Sequence, residues 1–173
     1  LLLLFIPLIS LGQTSLSPVQ IGDYRYGGIV FYIDSTGYHG LVCDIHDLGS
    51  ASNIEWGCYG IDISGANETG IGTGNQNTID IEIDCTTSNI AADLCANSSS
   101  QGYTDWFLPS KDEINKMYIN KDNIDNTSIS NGGSEYSSSI YWSSSESDNN
   151  FGYNPENHAH AQDFSNGATY RLT

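Results

Sequence analysis

Residues 102–118 read GYTDWFLPSKDEINKMY, and this stretch constrains the fold more than any other. An apolar Trp106-Phe107-Leu108 run meets Pro109, and Ser110-x-x-Glu113 follows. That spacing is a capping box: the Ser110 hydroxyl accepts from the amide three residues on, and the Glu113 carboxylate reaches back to the Ser110 amide. Asp112 and Glu113 also suit the positive end of the helix dipole. Ile114, Met117 and Tyr118 continue at helical spacing, so a helix starts at Ser110 and lays that face on a core. The stretch reads as scaffold. Ser110 is a cap rather than a nucleophile, and Lys111 points around the helix, away from its hydroxyl.

Around this helix the chain reads as short β-elements and polar loops. Residues 29–33 and 40–45 flank Asp34-Ser35-Thr36-Gly37, a hairpin with good turn chemistry. Residues 53–60, NIEWGCYG, read as a short third strand, and the Gly-, Asn- and Thr-rich residues 60–77 as a long surface loop. TIDIEID alternates Ile79, Ile81 and Ile83 with acids, a local strand pattern. Residues 88–97 form a short helix with Ser88 as its cap. Residues 120–139 are low in apolar content and read as a loop or insertion. SIYWSSSES, 139–147, is a strand, and AHAQDFSNGATYRL a hairpin turning at Ser165-Asn166-Gly167. Trp56, Trp106 and Trp142 are expected in the core, with Trp142 rather than Tyr141 facing inward.

The opening LLLLFIPLISLGQT is too short to span a bilayer and ends in small residues spaced two apart, so 1–12 reads as a truncated secretory signal peptide. No later apolar run is long enough to cross a membrane. Residues 13–26 are then a linker, and 27–173 one domain. Five Lys+Arg stand against 21 Asp+Glu, a net charge of −16. Such a surface repels phosphate backbones and anionic membranes, which excludes nucleic-acid binding. Ser, Asn, Gly and Tyr take the place of charged residues, as in surface-recognition proteins. Four cysteines in an exported chain suggest disulfides with three connectivities. Sequence proximity favours Cys43–Cys58 and Cys85–Cys95.

Together, GGIVFYID…HGLVCD, IEWGCYG, GYTDWFLPSKDEINKMY and YWSSSE…AQDFSNG resemble the Lcl C-terminal-domain family of bacterial secreted domains. The resemblance spans residues 27–172. Its helix–Leu-Pro-Ser–acidic helix pattern is also similar to the core of the formylglycine-generating-enzyme fold, a variant of the C-type lectin fold. The architecture implied is α+β: two short helices flanking a small, twisted antiparallel sheet. Members end in a further strand carrying Val-Arg-x-Val-Arg, which would pair with the N-terminal hairpin, so a missing final strand is expected. Relatives are mostly binding proteins, and the family's namesake resembles an adhesin domain that trimerises and binds sulfated polysaccharide. A sulfated ligand would need Lys/Arg clusters that this sequence lacks.

Readable catalytic motifs are absent. There is no Gly-x-Ser-x-Gly elbow, and all four cysteines precede residue 96, away from the late segment where formylglycine-type oxidases carry theirs. The expectation is therefore a non-enzymatic, secreted or cell-surface, adhesin-like binding domain for a carbohydrate or protein. A structural or oligomerising module of a larger exported protein, itself a homo-oligomer, is the alternative. The candidate ligand-binding set is Asn149, Asn150, Phe151, Tyr153, Asn154, Glu156, Asn157 and His158, which mixes flat apolar area with adaptable polar groups. No cofactor is expected; calcium on Asn154, Glu156, Asn157 and Asp163 is the lesser reading, since these are hard oxygen donors. His158-x-His160 lacks a third ligand at motif spacing, so tight zinc binding is not expected.

Overall fold

The computed structural model describes residues 3–7, 18–147 and 158–173. The first hairpin forms as read: β3 (Gly28–Ile33) pairs antiparallel with β4 (His39–Cys43), with β2 (Tyr24–Arg25) on the far side of β3. Asp34 closes the turn by accepting from the Thr36 amide at 3.1 Å and its hydroxyl at 2.7 Å, and Gly37 supplies a φ of 74°. The apolar segment Leu3–Pro7 forms β1, antiparallel to β4 from Leu3↔Cys43 to Pro7↔His39. It lies beside the N-terminal hairpin, where a closing strand was expected. The sheet order is β1-β4-β3-β2.

A second antiparallel sheet runs β5 (Ile140–Glu146), β6 (Ala159–Asp163), β7 (Thr169–Leu172). With α1 (Gly74–Asp84), α2 (Ala91–Ala96), α3 (Lys111–Ile119) and α4 (Lys121–Ser130), the protein is α+β. No helix among the described residues is long and apolar enough to cross a membrane.

β5 holds the two halves together. Tyr141 sits in a cluster with Ile29, Phe31, Met117 and Phe164, its ring 4.8 Å from Phe164 in an edge contact. Trp142, next along the strand, packs in a second cluster with Ile63, Ile81 and Leu108. Both are buried, so the expectation that only Trp142 faces inward is corrected. Core lies on both faces of this strand, and alternation cannot choose between them. Ser143, Ser144 and Ser145, which follow, are buried too, and each is satisfied. Ser143 Oγ donates to the His160 carbonyl (3.0 Å), Ser144 Oγ accepts from Asn77 Nδ2 (3.2 Å), and Ser145 Oγ donates to the Glu68 carbonyl (2.7 Å). A polar run that reads as surface is a hydrogen-bonded spine, because buried hydroxyls are tolerated only when partnered.

Three elements differ from the sequence reading. TIDIEID is the second half of α1, not a strand. In a helix the three isoleucines cannot share a face, and only Ile81 is buried. The rest of the inward face is polar: Asn77 Nδ2 donates to the Glu68 carbonyl at 2.7 Å, and Thr78 Oγ1 to Gly74 at 2.7 Å. Residues 121–130 are a helix rather than loop, with Ile124 as the one apolar anchor. One turn on, Ser128 Oγ donates to Ile45 (2.9 Å) and Ser134 (2.8 Å), replacing the apolar burial that a pattern search requires. Residues 53–60 form no strand. α2 starts at Ala91 without a side-chain cap; Ser88 is exposed, and Asp93 Oδ2 instead accepts from the Asn89 amide at 2.6 Å.

The expected disulfides are also corrected. Cys58 pairs with Cys85, while Cys43 and Cys95 are buried and outside any disulfide. Cys43 lies in the middle of the first sheet, where burial pushes its thiol up to about 12. Cys85 caps α1 and is delivered to Cys58 by that helix. Proximity in sequence misled because α1 carries Cys85 back to Cys58 across 27 residues, while Cys43 is buried in the first sheet.

The capping box is present in full. Glu113 Oε2 accepts from Ser110 N at 2.7 Å, and Glu113 N donates to Ser110 Oγ at 3.4 Å. Oε1 accepts from Gly72 N at 2.7 Å, and Ser110 Oγ donates to the Gly70 carbonyl at 2.8 Å. The cap therefore fastens α3 to the entrance of α1 as well as to itself.

Burial raises the Glu113 carboxyl above its ordinary 4.5, against the pull of the amides around it. A carboxyl with a raised folded-state pKa favours folding fully below its ordinary value, and that contribution is lost as pH rises through the raised one. Asp34, held down to about 2 chiefly by the Thr36 hydroxyl, and Asp163, held down by Ser165, act oppositely: their contribution stands above 3.8 and is lost as pH falls. Thermal stability should peak near about pH 4.5 and decline toward neutrality. Melts across that range test this, with Glu113→Ala expected to flatten the decline; an unchanged slope would assign it to surface repulsion alone.

Candidate functional site

A groove of about 570 Å³ is walled by residues 51–59, Trp142, His158–Ala159 and the end of β7. Residues 51–59 make no ladder, yet four hydrogen bonds and a disulfide hold them. Ala51 N donates to the Ile140 carbonyl (2.7 Å), Trp56 Nε1 to Ser143 (2.7 Å), and Trp142 Nε1 returns to Ile54 (2.7 Å). The Glu55 carbonyl accepts from Ala91 N at 2.9 Å, tying the strip to α2. The Cys58–Cys85 disulfide fixes its far end to α1.

These anchors decide what the groove offers. Both indole N–H groups are spent on backbone carbonyls, so Trp56 and Trp142 meet a ligand with carbon surface alone. Trp142 is buried beneath and Trp56 is half-buried. Tyr59, 76% exposed, stands at the mouth. The polar groups are few and spaced. Asn53 Oδ1 accepts from Ser50 Oγ (2.8 Å) and Ser52 Oγ (2.7 Å), which leaves its amide N–H₂ as the free end. Glu55 supplies a carboxylate and His158 an imidazole. A mostly apolar concavity with a few fixed polar groups is the usual form of a small-ligand site.

Of the residues predicted to bind ligand, Asn149, Asn150, Phe151, Tyr153, Asn154, Glu156 and Asn157 lie outside the described residues. His158 is half-buried and borders the groove, whereas His160 is buried within β6. Asp163 is engaged locally: Oδ1 accepts from Ser165 N (2.7 Å) and Oγ (2.6 Å), and Oδ2 from Asn166 Nδ2 (3.0 Å). Its carboxylate builds the β6–β7 turn. Among the described residues no group of three His, Cys, Asp or Glu side chains is placed to hold a metal ion. Sequence reasoning missed Trp56, Tyr59 and Asn53 as a wall. The signal was available in two aromatics beside two glycines without strand alternation, WGCYG. No protein-family model matches this chain, and neither does any curated protein or solved structure.

Proposed function

We propose that the protein is a non-catalytic binding domain of C-type-lectin-like architecture, secreted or held at a cell surface, and that the groove seats a carbohydrate. The carrying observation is the pair of tryptophans whose only polar atoms are satisfied internally. Such rings offer flat carbon area to the apolar face of a sugar, while Asn53, Glu55 and His158 lie where hydroxyls would be oriented. The acidic surface favours a neutral or basic glycan over a sulfated one. The resemblance to the Lcl C-terminal domains supports the same reading, as does the disulfide, a bond at home in oxidising compartments.

Glycan-array binding followed by titration of the best hit tests this. Trp56→Ala should weaken binding by about tenfold or more, since ring stacking and burial of an aromatic face are lost together. Affinity should not change on adding a chelator. Equal affinity of Trp56→Ala and the wild type would remove the groove from consideration.

A further inference from the structure

Between Arg25 and Lys111 the sequence carries no Lys or Arg, but eleven acids: Asp34, Asp44, Asp47, Glu55, Asp62, Glu68, Asp80, Glu82, Asp84, Asp93 and Asp105. That interval contains α1 and α2. The last residues of α1 include Asp80, Glu82 and Asp84, at the helix end where the dipole favours cations, and no basic residue stands in that turn. Interleaved with them are Ile79 and Ile83, one turn apart and 44% and 68% exposed. They border a hollow of about 300 Å³ between α1, the end of α2 and residues 104–106, with buried Trp106 as its floor.

The acids around the hollow are not equivalent. Asp80 Oδ1 accepts from Gln76 Nε2 at 3.0 Å, and Asp84 Oδ2 from Ser64 N at 3.2 Å. Glu82 and Asp105 line the hollow and form no ion pair among the described residues. Partial burial and neighbouring Asp93 hold the Glu82 carboxyl above its ordinary range.

We infer that this face of α1 is a docking surface for a basic amphipathic segment of a partner protein, with an aliphatic side chain seated between Ile79 and Ile83 and Lys or Arg side chains on Glu82 and Asp105. Charge complementarity selects the occupant. A second copy of this chain would bring two strongly acidic faces together, which repel. A purely polar cation would leave the isoleucine stripe wet, and a purely apolar segment would leave the carboxylates uncompensated. The surface is separate from the aromatic groove, and neither reading requires the other.

The probe is a fluorescein-labelled helical peptide of leucine and lysine with its leucines on one face, added to the full chain at physiological salt. Controls are the same composition with leucines scattered and a leucine–glutamate counterpart. The one-faced basic peptide should bind best, and Ile79→Ser with Ile83→Ser should weaken it by about tenfold or more. Glu82→Gln with Asp105→Asn should weaken it and reduce its salt dependence. Both pairs are surface changes, and unaltered circular dichroism certifies the fold. Equal binding by the isoleucine variant, or equal binding of the scattered peptide, would reduce the effect to charge attraction and overturn the proposal. So would wild-type self-association abolished by Ile83→Ser, or loss of peptide binding in Trp56→Ala, which would move the seat to the groove.

Discussion

Cys58→Ser should lower the stability of this domain by about 3.5 kcal/mol, the entropy of a loop of this length released into the unfolded chain. The disulfide spans 27 residues, and on a domain of this size the loss corresponds to a fall in Tm of about 10 °C. The effect should be local as well. Cys58 ends the strip that carries Trp56 and Tyr59, and the remaining anchors of that strip are single hydrogen bonds at Ala51, Ile54, Glu55 and Trp56. Limited proteolysis should therefore open the variant near Tyr59 before the rest of the domain. Thiol titration checks the pairing itself. The unreduced, unfolded wild type should show two reactive thiols, Cys43 and Cys95, and none while folded. A chain without free thiols under denaturant would show that Cys43 and Cys95 are bridged as well.

Glu113→Ala should be strongly destabilising. Its carboxylate accepts from the amides of Ser110 and Gly72, each at 2.7 Å. Removing it strands these two donors at about 1–3 kcal/mol each, for a total of about 2–6 kcal/mol. Glu113→Gln keeps the shape but turns an amide N–H₂ toward a backbone N–H, so an intermediate loss is expected. Ser110→Ala should cost about 1 kcal/mol, the ordinary value of a cap. Gly74 belongs to the same unit: a Cβ there would collide with Glu113 Oε2 and lie 2.8 Å from Ser110 N. Urea midpoints across the series give the order. If Glu113→Ala and Ser110→Ala lose the same amount, Glu113 serves its own helix only and does not join α3 to α1.

The parts of the fold legible in the sequence are those specified by local chemistry. Ser110-x-x-Glu113, the Asp34–Gly37 turn and the Asp163–Gly167 turn each close bonds over a few residues, and each forms as read. α1 and α4 were not legible because their inward faces are polar. Asn77, Thr78 and Ser128 look like surface until the carbonyls they meet, at Glu68, Leu108 and Ile45, are folded against them. The groove showed in the sequence only as the run WGCYG, without the anchors that make it a wall. Nothing near Trp56 in sequence indicates that its N–H is satisfied by Ser143, 87 residues away.

The sequence by itself determined the charge, the two hairpins and the helix start at Ser110, because each depends on residues within a few positions of one another. Tertiary structure alone decided which cysteines pair, that a run of serines is core, and that WGCYG forms the wall of a groove. Those outcomes depend on partners brought from distant segments, and a buried polar group takes its meaning from the atom it meets.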